Sequence, residues 1–277
     1  MCMGFGCNAV GVTGCRIIDS PRERLLAILT NAFVPCNGRF PAIIAVITMF
    51  FAFGMSGVPA VLLAFVLVFG VMMTFCVTRL LSKTVLKGKA SSFILELPPY
   101  RTPQVGKVIV RSLLDRTVFV LGRAVSVAAP AGLVIWLMAN VTVGDMSLLN
   151  LCADFLDPFA RILGLDGVIL MAFILGFPAN EIVIPIIIMA YTASGTVTDV
   201  TALTEIKALF IQNGWTWMTA VSMIIFTLFH WPCSTTLITV KKETGSIKWT
   251  LLAALLPTAV GMICCILFTC VCKLFGA

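Results

Sequence analysis

The sequence predicts an all-α, polytopic membrane protein with about six transmembrane helices, some of them broken. Three observations carry this. Of 277 residues, 60% are hydrophobic and 11% charged, against about 25% charged in a soluble domain. The apolar residues gather into runs, several long enough for a bilayer, which takes about 20. Two short glycine- and proline-rich interruptions also recur in the same order in both halves of the chain.

The chain opens on Gly4-Phe5-Gly6-Cys7-Asn8, a turn with no helix before it, so a segment upstream is expected. Ser20-Pro21-Arg22-Glu23 starts a helix well: Ser20 caps, Pro21 suits the first position and Glu23 completes a capping box. This helix runs to about Phe33 and breaks at Pro35-Cys36-Asn37-Gly38-Arg39. Residues 40–55 and 58–81 form a transmembrane hairpin turned at Gly54 and Gly57. Residues 79–123 are basic, hence cytoplasmic by the positive-inside rule. Within them Leu97-Pro98-Pro99-Tyr100 is extended, because proline disfavours helix in the residue before it. Thr102-Pro103 then starts an amphipathic basic helix, in the membrane interface or in solvent.

Residues 125–141 are a third membrane segment, and Asp145, Asp154, Asp157 and Asp166 place the next loop outside. Residues 168–191 are a fourth, interrupted at Gly176-Phe177-Pro178-Ala179-Asn180-Glu181. Residues 194–212 are polar and short-helical. Residues 215–229 are a fifth segment, ending at His230-Trp231-Pro232-Cys233-Ser234-Thr235-Thr236, and residues 249–271 are the last. Simple alternation leaves Lys241 to Lys248 outside, against the charge rule.

Gly4-Phe5-Gly6-Cys7-Asn8 and Gly176-Phe177-Pro178-Ala179-Asn180 share Gly-Phe-x-x-Asn. Each leads to a helix that ends in a Pro-Cys break, at Cys36 and at Cys233. The Asn-to-Cys spacing is 28 positions in the first and 53 in the second, so a duplication with an insertion in the second copy is expected. Interrupted apolar segments in corresponding halves point to a transporter site.

Glu181 is the sole acidic residue inside an apolar segment. Such a group is costly in a bilayer and normally faces a polar path or a partner. The bland alternative is a proline kink with Glu181 tied to a neighbouring helix. If the repeats pack face to face, Cys7, Asn8, Cys36, Asn180, Glu181 and Cys233 line one central path. That Cys/Asn/Glu mixture suits a borderline divalent ion such as iron(II). For each cysteine the competing reading is a small residue that allows close helix packing, and for Cys36 that reading is preferred. His230, the one histidine, and Ser234 stand behind this set; His230 is read as bonding a carbonyl freed by the break, with a ligand or proton carrier as the alternative. The eleven cysteines show no zinc-finger spacing, and Cys264, Cys265, Cys270 and Cys272 act as small apolar residues in the last helix. The chain contains no G-x-x-x-x-G-K-[ST] loop and no nucleophilic triad, so it is not expected to be an enzyme. The net charge of +7 lies between the apolar segments, which suits anionic lipid rather than nucleic acid.

These motifs, with Glu96-Leu97-Pro98-Pro99-Tyr100-Arg101, Asn180-Glu181-Ile182-Val183 and Lys241-Lys242-Glu243-Thr244-Gly245, together resemble the ferrous iron transporter B family in its carboxy-terminal membrane half with two Gate regions. The resemblance covers essentially the whole chain. It departs at Ala9-Val10-Gly11, where the family often has Val-Pro-Ala. It implies pore cysteines at Cys7, Cys36 and Cys233, an Asn-Glu motif at Asn180 and Glu181, and ferrous iron as the transported substrate. It divides the chain into a partial first Gate region (1–55), a transmembrane helix with the basic loop and interfacial helix (56–124), a second Gate region (125–245) and a terminal transmembrane helix (246–277). It implies no cofactor in this chain, with GTP entering only through an amino-terminal domain absent here. Partners expected from it are membrane lipid, a GTP-binding domain on another chain, a small cytoplasmic accessory protein and further copies of the chain. The expected location is the bacterial plasma membrane. A nucleoside carrier or a non-transporting assembly subunit remain the alternatives.

Overall fold

A computed structural model describes residues 2–52, 57–88, 104–111, 118–143, 146–192 and 203–275. The Glu96 to Arg101 motif, Thr102-Pro103, Gly54, Asp145 and residues 193–202 lie outside them. The helices are α1 (Asn8–Gly14), α2 (Pro21–Thr30), α3 (Phe40–Phe51), α4 (Val58–Thr84), α5 (Val105–Arg111), α6 (Phe119–Asn140), α7 (Leu148–Ile162), α8 (Gly167–Leu175), α9 (Val183–Thr192), α10 (Leu203–Gln212), α11 (Trp217–Phe229), α12 (Ser234–Thr244) and α13 (Ile247–Leu274). The described strands are a two-residue ladder, Thr142–Val143 against Met146–Ser147. Ser20 caps α2 by accepting from the Glu23 amide, with Pro21 at the first position.

Among the described residues three stretches are long and apolar enough to cross a membrane: α4, α11 with α12 (Trp217–Thr244), and α13. A fourth is α7 with α8, if that pair, bent by 108°, is one span. Three expectations change here. The stretch read as an external loop holds a helix, α7, which carries Asp154 and Asp157. The apolar stretch 168–191 is not one broken crossing. Gly176 and Pro178 end α8, which turns back on α7, and Asn180–Thr192 forms a separate short apolar helix. Residues 215–229 do not finish a crossing either. The break at Pro232 lies inside the span, and α12 completes it.

The contacts repeat in pairs. α2 packs on α4 as α11 packs on α13; α3 on α4 as α12 on α13; α2 on α13 as α11 on α4. The two units also point in opposite directions. Arg22 Nε donates to the Leu86 carbonyl at 2.5 Å, so α2 begins where α4 ends. The Trp217 and Phe268 rings lie 6.2 Å apart, so α11 begins where α13 ends. Arg16 joins Glu243 through two bonds of 2.7 and 2.6 Å, which brings the end of α12 to the face where α2 begins. This is an inverted repeat, an arrangement common to many transporters. It also settles the charge conflict: Lys241 and Lys242 share a face with Lys83 and Lys87 near the end of α4. Asp157, Arg161 and Asp166 lie at the opposite face. There Tyr191 donates to Asp166 and Trp215 Nε1 donates to the Tyr191 hydroxyl at 2.8 Å.

In lipid the apolar face of a helix gains little by leaving solvent, so close packing and hydrogen bonds hold the bundle. Glycines allow the closest approaches. A Cβ on Gly70 of α4 would stand 3.3 Å from the Phe33 carbonyl, and one on Gly261 of α13 would stand 3.0 Å from Phe229 Cβ. Each long helix therefore presses on a break. The rings of Phe33 and Phe69 pack against Phe229 at 5.8 and 5.5 Å.

Candidate functional site at the meeting of the breaks

Each unit contributes two interruptions, and the backbone pins them together in the same way. In the first, the Asn37 amide donates to the Gly6 carbonyl at 3.3 Å; in the second, the Ser234 amide donates to the Phe177 carbonyl at 3.0 Å. Three of the four interruptions hold a proline, where the helical ladder stops. Pro35, Pro178 and Pro232 lack the N–H that would continue a helical ladder.

Cys7 is the residue before α1, in extended conformation and half-buried. Asn8 is buried. Its amide, oriented with nitrogen toward the two carbonyls, donates to Gly4 and Val34 at 3.2 Å each, so it fastens the opening turn to the Pro35 break. Asn31 Nδ2 donates to the Asn8 carbonyl at 2.9 Å. Gly4 and Gly11 leave room for Asn31, since a Cβ on either would come within 3 Å of its Oδ1. Cys36 is buried. Cys233 precedes α12, half-buried, with its sulfur 3.3 Å from Thr236 Oγ1. The Asn37–Gly6 bond sets Cys36 beside Cys7, and the Arg39 bonds to the His230 and Trp231 carbonyls bring that break to Cys233. The fold thus gathers the three cysteines from far positions in the chain. It does not close them around a point: among the described residues no three His, Cys, Asp or Glu side chains are placed to hold a metal ion.

Asn180 is buried and lies 3.3 Å from His230 Nε2 through its side-chain oxygen position. His230 Nδ1 faces the carbonyls of Phe226 and Thr227 at 3.1 and 2.9 Å. Both are acceptors, so the proton sits on Nδ1 and the imidazole ties off the end of α11. Glu181 is exposed, outside the buried set. Its carboxylate lies against Gly38, where an added Cβ would be 2.5 Å from Oε2. The Ser234 hydroxyl donates to the Pro178 carbonyl at 3.5 Å.

Arg39 is the residue that sequence reasoning missed. It is fully buried. Nη1 donates to the carbonyls of Ala32 and Leu228 at 2.9 Å each, and Nη2 to those of His230 and Trp231 at 2.7 and 3.3 Å. Cys36 and Cys233 are its electrostatic neighbours. The signal was present, because an ionisable residue beside two apolar runs is a functional candidate by default. Attention to the sole carboxylate hid it.

Comparison with known proteins bears on this arrangement. Residues 121–247 match the family model described as "Gate: Nucleoside recognition", and residues 63–115 match "Ferrous iron transport protein B C terminus". The Fe(2+) transporter FeoB of Staphylococcus aureus strain MSSA476 is 31% identical over 279 aligned positions, covering 97% of this chain. This chain belongs to the ferrous iron transport protein B family. It corresponds to the carboxy-terminal membrane part of that family and spans 39% of the length of the Staphylococcus relative. The FeoB proteins of Leptospira interrogans strain 56601 and Leptospira biflexa strain Patoc 1 are 26% and 24% identical, each over 88% of this chain and 38% of their own length. No solved structure matches the chain. The Gate match contains Glu181, His230 and Cys233, while the first-unit residues Cys7, Cys36 and Arg39 lie outside both family models.

Proposed function

We propose that this chain forms the membrane pathway of an iron(II) transporter, with ferrous iron crossing where the four breaks meet. The gathering of Cys7, Cys36 and Cys233 at that point carries the reading, together with relatives named as Fe(2+) transporters. Thiol sulfur, amide oxygen and carboxylate together bind a borderline divalent ion without the finality of an all-thiolate cage. In this reading the ion is held in turn by one or two of these groups rather than caged. Cys7 and Cys233 act as transient ligands, Cys36 lies beside them, and Glu181 at the exposed edge supplies charge. Asn8 and Asn180 hold the breaks in register, and His230 and Ser234 support them.

In this reading the basic face, with Arg16, Lys83, Lys241 and Lys242, is cytoplasmic and meets anionic lipid. Nucleotide hydrolysis, where it regulates transport, belongs to a GTP-binding domain outside this sequence. That domain, a small cytoplasmic accessory protein and further copies of the chain are its partners in a bacterial plasma membrane.

The test is anaerobic iron(II) uptake by the complete transporter in cells lacking other iron(II) importers. Cys233→Ser and Glu181→Gln should each lower uptake by about tenfold, the scale seen when groups around a metal are removed. Unchanged uptake in both variants would defeat the assignment. The description of the Gate family model favours a second reading, a nucleoside carrier. Uptake competed by nucleosides and indifferent to divalent metals would select it.

A further inference from the structure

Arg39 carries a charge that the proposed iron path does not use. The described ion pairs are Arg16–Glu243 and Arg161–Asp157, and Arg39 is in neither. A buried cation without a carboxylate is tolerated only where hydrogen bonds take its place. Here they come from both units. Ala32 belongs to the first, while Leu228, His230 and Trp231 belong to the second.

The three second-unit carbonyls lie at and just beyond the end of α11, where a helix leaves its last carbonyls without partners. The His230 ring covers Phe226 and Thr227, and Arg39 covers Leu228, His230 and Trp231. A cation there also suits the negative end of the helix dipole. The sharing is one-sided. Aligning the units on Cys36 and Cys233 sets Thr236 opposite Arg39, and the Thr236 hydroxyl faces the Cys233 sulfur instead. One guanidinium serves both breaks.

We propose that Arg39 couples the two units, so that the breaks at residues 34–39 and 230–233 open and close as one body. Separating them would strip charge-assisted bonds from four carbonyls, three of them in buried contacts. The least costly motion keeps the breaks joined and displaces the helices around them. Arg39 is a positioning residue, and no readout below needs iron, so its failure is distinguishable from failure of the transport reading.

The experiment uses the complete transporter in detergent. Hydrogen exchange of the unsubstituted protein reads the Asn37 and Ser234 amides, one in each break. Protection of the two should agree within about threefold, as for one cooperative unit. Site-resolved maleimide labelling by mass spectrometry then reads Cys36 and Cys233 in Arg39→Met and Arg39→Lys. In Arg39→Met both thiols should label about tenfold faster, a larger change than in Arg39→Lys, whose single ammonium keeps fewer of the carbonyl bonds. Protection differing by more than about tenfold between the amides, or faster labelling of Cys36 alone, overturns the coupling. If Arg39→Met does not fold, exchange in the unsubstituted protein decides.

Discussion

Gly38 lacks a side chain where the Glu181 carboxylate lies, and that contact sets the position of the exposed acid at the breaks. The obstruction a Cβ would meet is the far end of a flexible side chain. Gly38→Ala should therefore cost less than about 1 kcal/mol of stability, while it pushes Glu181 aside. The expected outcome is a melting temperature close to the parent's with iron(II) uptake clearly reduced. Unchanged uptake would mean that the position of Glu181 does not matter to transport. At this same scale, residue chemistry divides in two. Cys7, Cys36, Cys233 and Glu181 were visible as candidates because their types are costly or reactive in a membrane. Asn8 and Asn31 look alike in sequence and differ only in what they bond: Asn8 ties the opening turn to Val34, and Asn31 ties to Asn8.

Between elements, backbone against backbone is the firmest constraint. At the bend between α7 and α8, a Cβ on Gly167 would stand 1.9 Å from the Ala153 carbonyl oxygen, which cannot swing away. Gly214, at φ +85°, turns α10 into α11 with nothing within 4 Å of an added Cβ. Gly214→Ala should cost about 1 kcal/mol, the strain of a left-handed residue alone. Gly167→Ala adds overpacking of about 1–3 kcal/mol. Thermal unfolding of both variants checks the order, and equal losses would show that α8 slides freely on α7. The end of α2 and its break follow from local rules, with Ser20 and Pro21 at its start and Pro35 beyond its end. The bend of α8 back on α7 does not, because Asp166 caps α8 by accepting from the Ile169 amide at 2.6 Å whichever way the chain then turns.

For the whole molecule, the inverted repeat makes a prediction about sides. Cysteines introduced for Lys83 and for Lys241 should react with a membrane-impermeant maleimide from the same side, and one introduced for Arg161 from the other. Labelling of positions 83 and 241 from opposite sides would break the inverted arrangement and with it the pairing of the four interruptions. The Arg16–Glu243 pair lies on the shared face but, with Arg16 59% exposed, solvent screens it and it adds little to stability. The orientation rests on packing of α2 and α11 against α4 and α13 rather than on that bridge.

The sequence by itself determined the class of protein, the apolar helices, the places where they break and the residue types waiting at those breaks, but it read α7 as part of an external loop and did not find α12. These follow from hydropathy, proline and capping, which act over a few neighbouring residues. The repeated Gly-Phe-x-x-Asn and Pro-Cys motifs also made a duplication legible. Only the tertiary structure decided that the copies are inverted, that α12 rather than α11 completes a crossing, and that Glu181 stands exposed beside Gly38. It alone placed Arg39 among four carbonyls, three of them about 190 positions away in the chain. In sequence a glycine-arginine pair after a break reads as a charged turn. In the folded chain the arginine is buried, because the carbonyls freed by the distant break need a donor that lipid cannot provide.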